Sequence, residues 1–76
     1  MGKKSRNQLL LNKIATVLAT IRTDMNLSQE AVYNDTGIHI GRIETGSTNI
    51  SLSTLDEMLS YYDVSFLDFF KKVEDL

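Results

Sequence analysis

The sequence predicts an all-α fold of five short helices, and three observations carry that prediction. Apolar residues return at helical spacing in several separate stretches. No segment alternates apolar and polar residues cleanly with period two, as a half-buried strand would. Serines with helix-capping chemistry stand just ahead of three of the apolar stretches, at Ser28, Ser51 and Ser65. A chain of 76 residues fits one compact domain.

Taken in order, residues 1–6 read as a polar, basic, mobile arm (Lys3, Lys4 and Arg6), and residues 7–76 as a single domain. Leu10, Ile14, Val17, Leu18, Ile21 and Met25 lie along one face of a first helix of about four or five turns. Asn26-Leu27 breaks it. Ser28 caps a second helix with Glu30 in its positive first turn, and Leu27 and Val32 are placed for a hydrophobic staple. That helix is short, because Asn34-Asp35-Thr36-Gly37 is a cluster of turn residues. A third helix, capped by Thr36, runs to about Thr45 with Ile40 and Ile43 facing inward, and Gly46 is its left-handed stop. Ser51 caps a fourth helix carrying Leu52, Leu55, Leu59 and Tyr62, which ends at Asp63-Val64. Ser65 with Asp68 resembles a capping box and opens a fifth, with Phe66, Phe69, Phe70 and Val73 at helical spacing.

Composition excludes several classes of function. There is no cysteine, hence no disulfide, thiolate nucleophile or cysteine metal site, and a single histidine cannot build a histidine-rich zinc site. No cofactor and no small-molecule substrate is expected. Nothing approaches the ~18 apolar residues of a membrane span, and the polar start is not followed by a signal-peptide core. Cytoplasmic location is therefore expected, and the sequons at Asn26, Asn34 and Asn49 are taken as chance. No phosphate loop, nucleophile elbow or metal spacing supports an enzyme. The net charge is −2, yet it is unevenly spread. Residues 1–46 carry six basic and four acidic side chains; residues 47–76 carry two basic and six acidic. A domain so divided can present a basic face while acidic overall.

Two short helices joined by a tight turn behind a long first helix suggest a helix-turn-helix. Four segments then match a known pattern in order: Leu27-Ser28-Gln29-Glu30, Arg42-Ile43-Glu44-Thr45-Gly46, Asn49-Ile50-Ser51-Leu52-Ser53-Thr54-Leu55 and Val64-Ser65-Phe66-Leu67-Asp68-Phe69-Phe70. The chain in this respect resembles the Cro and λ-repressor-like (XRE-type) helix-turn-helix family, over residues 10–73. The resemblance implies a λ-repressor-like fold and a transcriptional regulator, in particular a repressor, that binds double-stranded DNA as a homodimer. The alternative is an antitoxin or other protein-interaction module on the same fold.

The spacing between Ser28 and Arg42 is about three residues shorter than is common in that family. Anchored on the far end, Thr36 caps the third helix and Gly37, Ile38 and His39 form its first turn; this is the preferred assignment. Anchored on the near end, Gly37 is the turn glycine and Ile38 a buried turn residue. Tyr33 stands where the family has a small residue.

The resemblance also implies roles. The third helix lies in the major groove. Gln29 meets a phosphate at the start of the second helix. Arg42 reads guanine O6 and N7, or else forms a surface salt bridge, and an exposed Ile38 packs on a thymine methyl. Thr36, Gly37 and His39 lie near the groove, and Thr45, Ser47, Thr48 and Asn49 bring the following loop to the phosphates. Arg22 and Glu44 form a partly buried, structural ion pair. Leu67, Phe69 and Leu76 are assigned to the dimer interface, and Phe66 and Phe70 to the core.

Overall fold

The computed structural model describes residues 6–76, which form α1 (Arg6–Asp24), α2 (Gln29–Thr36), α3 (Ile40–Ile43), α4 (Leu52–Tyr62) and α5 (Phe66–Glu74). No strand occurs among the described residues. None of their helices is long and apolar enough to cross a membrane. α1 opens at Arg6, inside the segment assigned to the arm, while Lys3 and Lys4 lie outside the described residues.

Each expected serine cap is present. Ser28 Oγ accepts from the Ala31 amide at 3.0 Å, Ser51 Oγ from Thr54 at 3.1 Å and Ser65 Oγ from Asp68 at 3.0 Å. Such a cap contributes about 1 kcal/mol. α1 and α4 close with a left-handed residue, Asn26 (φ 59°) and Asp63 (φ 61°), whose short polar side chains tolerate that region. The next amide in each case returns to the helix: Leu27 N–H donates to Arg22 O at 3.1 Å and Val64 N–H to Leu59 O at 2.9 Å.

α1 packs on α5, α2 on both α3 and α4, and α4 on α5. Between them lies one core in which Leu18, Val32, Ile40, Leu55, Met58, Leu59, Phe69 and Val73 are almost wholly buried. Leu27 is half-buried against this core beside Val32, as a hydrophobic staple requires. Leu10 and Met25 correct the expected face of α1: both are more than two-fifths exposed. α1 has 19 residues and α5 only nine, so the ends of α1 outrun their partner. On α4 the buried face turns toward Met58, which leaves the first residue, Leu52, 74% exposed.

The aromatics of α5 are also reassigned. Phe69, expected at a dimer surface, is fully buried in the core, while Phe66, expected in the core, is 39% exposed and stacks on Phe70 at 6.3 Å between centroids. Phe69 and Val73 are four residues apart and share the face toward α1 and α4. Phe66 sits at the first position of the helix, on the neighbouring row.

The boundary between α2 and α3 overturns the preferred assignment, and the near-end alternative holds. α2 continues through Thr36, and Gly37 (φ 76°) ends it by donating its amide to Tyr33 O at 2.7 Å. Thr36 does not cap α3. Its hydroxyl donates to Val32 O at 2.7 Å and accepts from the Ile38 amide at 3.0 Å. Ile38 is half-buried against the core in the turn. Glycine reaches the left-handed region at no steric cost, so Gly37 is worth more as the stop of α2 than inside the first turn of α3. What remains for α3 is four residues, extended by tighter turns in which Thr45 N–H donates to Arg42 O and Gly46 N–H to Ile43 O. Gly46 (φ 81°) ends this stretch as expected, and a Cβ there would lie 2.5 Å from Asn12 Oδ1 of α1.

One ion pair joins these pieces. Arg22, in the last turn of α1, donates from Nε to Glu44 Oε2 at 2.7 Å and from Nη2 to Glu44 Oε1 at 3.0 Å. Its Nη1 donates to Leu27 O at 2.6 Å. The two side chains are only 12% and 7% exposed. The hydrogen bond to Glu44 raises the Arg22 pKa above its ordinary value, against the opposing effect of burial. Nearby, the Tyr62 hydroxyl is buried without a hydrogen-bond partner among the described residues. Burial first, and the Glu44 charge second, push its pKa from 10.0 up to about 12.

Two outcomes are expected in thermal melts followed by circular dichroism. Glu44→Ala leaves Arg22 buried and unpaired, which should cost about 3–5 kcal/mol and lower Tm by more than about 10 °C. A shift under about one degree would show that the pair contributes nothing. Tyr62→Phe removes an unpaired buried hydroxyl and should leave Tm unchanged or higher at pH 7. Because the folded pKa of Tyr62 is raised, the stability tied to its neutral form is intact below pH 10 and is lost as pH climbs toward about 12. The phenylalanine variant should therefore lose less stability than wild type across that alkaline range; parallel curves would contradict the assignment.

Candidate nucleic-acid interface

The segment from Gly37 to Asn49 contains most of the residues assigned to DNA from sequence, and the structure brings Gly37, Ile38, His39, Arg42, Thr48 and Asn49 together, while Thr45 and Ser47 lie outside that group. His39, Arg42, Thr48 and Asn49 line a common shallow cleft with Ser51 and Thr54. Arg42 is exposed and its guanidinium has no carboxylate partner among the described residues, so the surface-salt-bridge alternative does not hold there. Gly37 is open: a Cβ at that position would meet nothing within 4 Å.

The loop after α3 is organised around the Arg42 carbonyl. Thr45 Oγ1 donates to Arg42 O at 2.7 Å and lies 2.8 Å from Ser47 Oγ. Thr48 Oγ1 also donates to Arg42 O, at 3.3 Å. On the other side, Gln8 of α1 donates from Nε2 to Gly46 O at 2.9 Å. Three short polar side chains and a glutamine thereby shape a loop that has no regular structure of its own.

Gln29 is placed differently from the role read for it. Its Nε2 donates to Glu44 Oε1 at 2.8 Å, so the amide reaches from the first turn of α2 to the residue after α3. Gly41 makes the room: a Cβ there would lie 3.0 Å from Gln29 Oε1. A glycine inside a four-residue helix costs helix propensity, and this close crossing is what it permits. That glycine was the signal in the sequence for the contact; it went unread because the partner lies twelve residues earlier.

A second contact absent from the sequence reading joins Tyr33 to His39. Their ring centroids are 4.7 Å apart with planes tilted by 31°. Tyr33 is 43% exposed and His39 is exposed. Farther back, Tyr61 of α4 donates its hydroxyl to Asp35 Oδ2 at 2.6 Å, tying α4 to the last turn of α2. That hydrogen bond is the main reason the Tyr61 pKa is raised.

Near α3 the described charges then reduce to few. Glu44 is neutralised by Arg22, Asp35 is held by Tyr61, and Arg42 stands as an unpaired cation. The arrangement can donate hydrogen bonds and accept a polyanion, and it gathers no nucleophile, base and oxyanion site in one place.

A family model described as helix-turn-helix matches residues 18–69, from the middle of α1 to the core phenylalanine of α5. No curated protein and no solved structure gives a match. The matched stretch covers more than half the chain and includes the whole of α2, α3 and α4. With the α2–turn–α3 geometry it establishes that the chain belongs to the helix-turn-helix family of Cro and λ-repressor (XRE) type and is a DNA-binding transcription regulator of that kind.

Proposed function

We propose that the protein is a sequence-specific repressor that reads the major groove of double-stranded DNA with α3 and its flanking residues. The observation that carries this reading is Arg42: an exposed, unpaired guanidinium on an α3 held in place through Glu44 by α1 and α2. Arginine can donate two parallel hydrogen bonds to guanine O6 and N7, a pairing worth about 1–3 kcal/mol of discrimination. His39 lies in the same cleft and Gly37 leaves the backbone open to close approach.

Around this reading head, polar groups are placed for phosphates. Gln29 Nε2 has two hydrogens; Glu44 takes one, and the second is the donor for a phosphate at the start of α2. Thr45, Ser47, Thr48 and Asn49 would follow the backbone on the other side. Thr36 spends its hydroxyl within the turn, and Ile38, half-buried against the core, lines the cleft without a part in the proposed base contacts.

A single such domain covers one half-site, and paired half-sites call for a dimer. Leu67 and Leu76, 78% and 57% exposed on and just after α5, are the proposed contact between two copies. A second reading, an antitoxin-like interaction module, is favoured by the acidic side chains exposed on α4 and α5, among them Asp56, Glu57, Asp68 and Glu74. These could face a basic protein partner.

Selection from a random duplex library tests the first reading, followed by affinity measurements across salt for wild type and Arg42→Ala. Enrichment of a two-fold-related motif is expected, with the Arg42→Ala loss confined to particular bases. Absence of both enrichment and binding at about 50–100 mM salt, where phosphate contacts are strong, would remove it in favour of the interaction module. Light scattering tests the dimer: twice the 8.6 kDa mass of one chain is expected at micromolar concentration, lost on Leu67→Glu. A monomeric mass for wild type would refute that interface.

A further inference from the structure

The shortness of α3 raises a physical question about His39. It stands immediately before the helix, with φ −76° and ψ 76°, and its side chain makes no capping hydrogen bond. It has no turn of α3 before it, since α2 ends only at Thr36 and Gly37 and α3 begins at Ile40. An exposed side chain in that position would ordinarily sample several rotamers, and a base-reading group that does so loses binding free energy to ordering. The contact that restrains it is the Tyr33 ring, 4.7 Å away.

Tyr33 itself is poorly explained as a core residue. It is 43% exposed on α2, whose buried contribution comes from Val32. Its hydroxyl makes no hydrogen bond among the described residues. An aromatic ring left this open has one large neighbour to order, and that neighbour shares the cleft of Arg42.

We propose that Tyr33 is a positioning residue for base reading, holding the His39 imidazole so that its N–H donates to N7 of a purine beside the guanine read by Arg42. The proposal rests on the major-groove reading given above. A neutral imidazole carries one N–H donor and one acceptor nitrogen, and purine N7 is the acceptor that both adenine and guanine present in the major groove. The stack takes over the restraint that a longer α3 would have supplied from its own first turn. Specificity is then distributed over two helices: Arg42 on α3 reads a guanine, while the α2 side chain Tyr33 sets the neighbouring purine preference through His39.

The test is the same duplex selection run on wild type, Tyr33→Ala, Tyr33→Phe and His39→Ala, with ring-proton NMR of His39 on the DNA-free proteins. Wild type should show a purine preference next to the Arg42 base. Tyr33→Ala and His39→Ala should each weaken it by about 2- to 10-fold, the range an aromatic contact supports, while leaving the Arg42 base preference intact. Tyr33→Phe keeps the ring and should retain the preference. In the NMR spectra the His39 ring protons should be shifted upfield by the stacked ring in wild type and Tyr33→Phe, and should return toward random-coil positions in Tyr33→Ala. If wild type enriches a motif but Tyr33→Ala leaves the purine preference unchanged, or lowers all positions equally, the positioning role is overturned and the major-groove reading stands. If wild type enriches no motif, both fall together.

Discussion

The placement of α3 depends on the Arg22–Glu44 ion pair. α3 is four residues long, far below the length at which a helix holds itself in water. It is fixed from outside: Ile40 and Ile43 enter the core, and Glu44 just beyond them takes both hydrogen bonds of an arginine from α1. That arginine also holds the Leu27 carbonyl in the turn before α2. Gln29 closes the circuit by donating to the same carboxylate. Three successive helices are thereby referenced to one buried charge. A lysine could not serve, because a single ammonium lacks the planar fork that reaches two carboxylate oxygens and a carbonyl at once.

Glu44 is paired with Arg22, while Arg42 is exposed and without a carboxylate partner among the described residues; Asp35 keeps its charge as it accepts from the neutral Tyr61 hydroxyl. Gln29 Nε2 keeps one hydrogen beyond the one given to Glu44, whereas Thr45 and Thr48 donate theirs to the Arg42 carbonyl. The chain as a whole stays acidic, and six of its ten acidic side chains, Asp56, Glu57, Asp63, Asp68, Glu74 and Asp75, lie on or just after α4 and α5. An uneven charge distribution of this kind can present a less acidic face to a polyanion.

Much of this was legible in the sequence. Ser28, Ser51 and Ser65 act as caps because cap chemistry is local: an oxygen reaches an amide three residues ahead whatever the rest of the chain does. Gly46, Asn26 and Asp63 mark helix ends for the same reason. Arg22 and Glu44 were found through the family resemblance, since nothing local links residues 22 apart. The boundary between α2 and α3 was misread because Thr36 and Gly37 have chemistry suited both to ending one helix and to starting the next.

The sequence by itself determined the number and order of the helices, the serine caps of α2, α4 and α5, and the family, all of which rest on interactions within a few residues or on a motif. Tertiary structure decided which of two equally periodic faces of α5 is buried, and hence that Phe69 is core and Phe66 is not. It decided that Gly37 ends α2, that Gln29 crosses Gly41 to reach Glu44, and that Tyr33 lies against His39. Local propensity left competing conformations close in energy, and contacts made only in the folded chain, burial for Phe69 and side-chain contacts for Gln29 and Tyr33, selected among them.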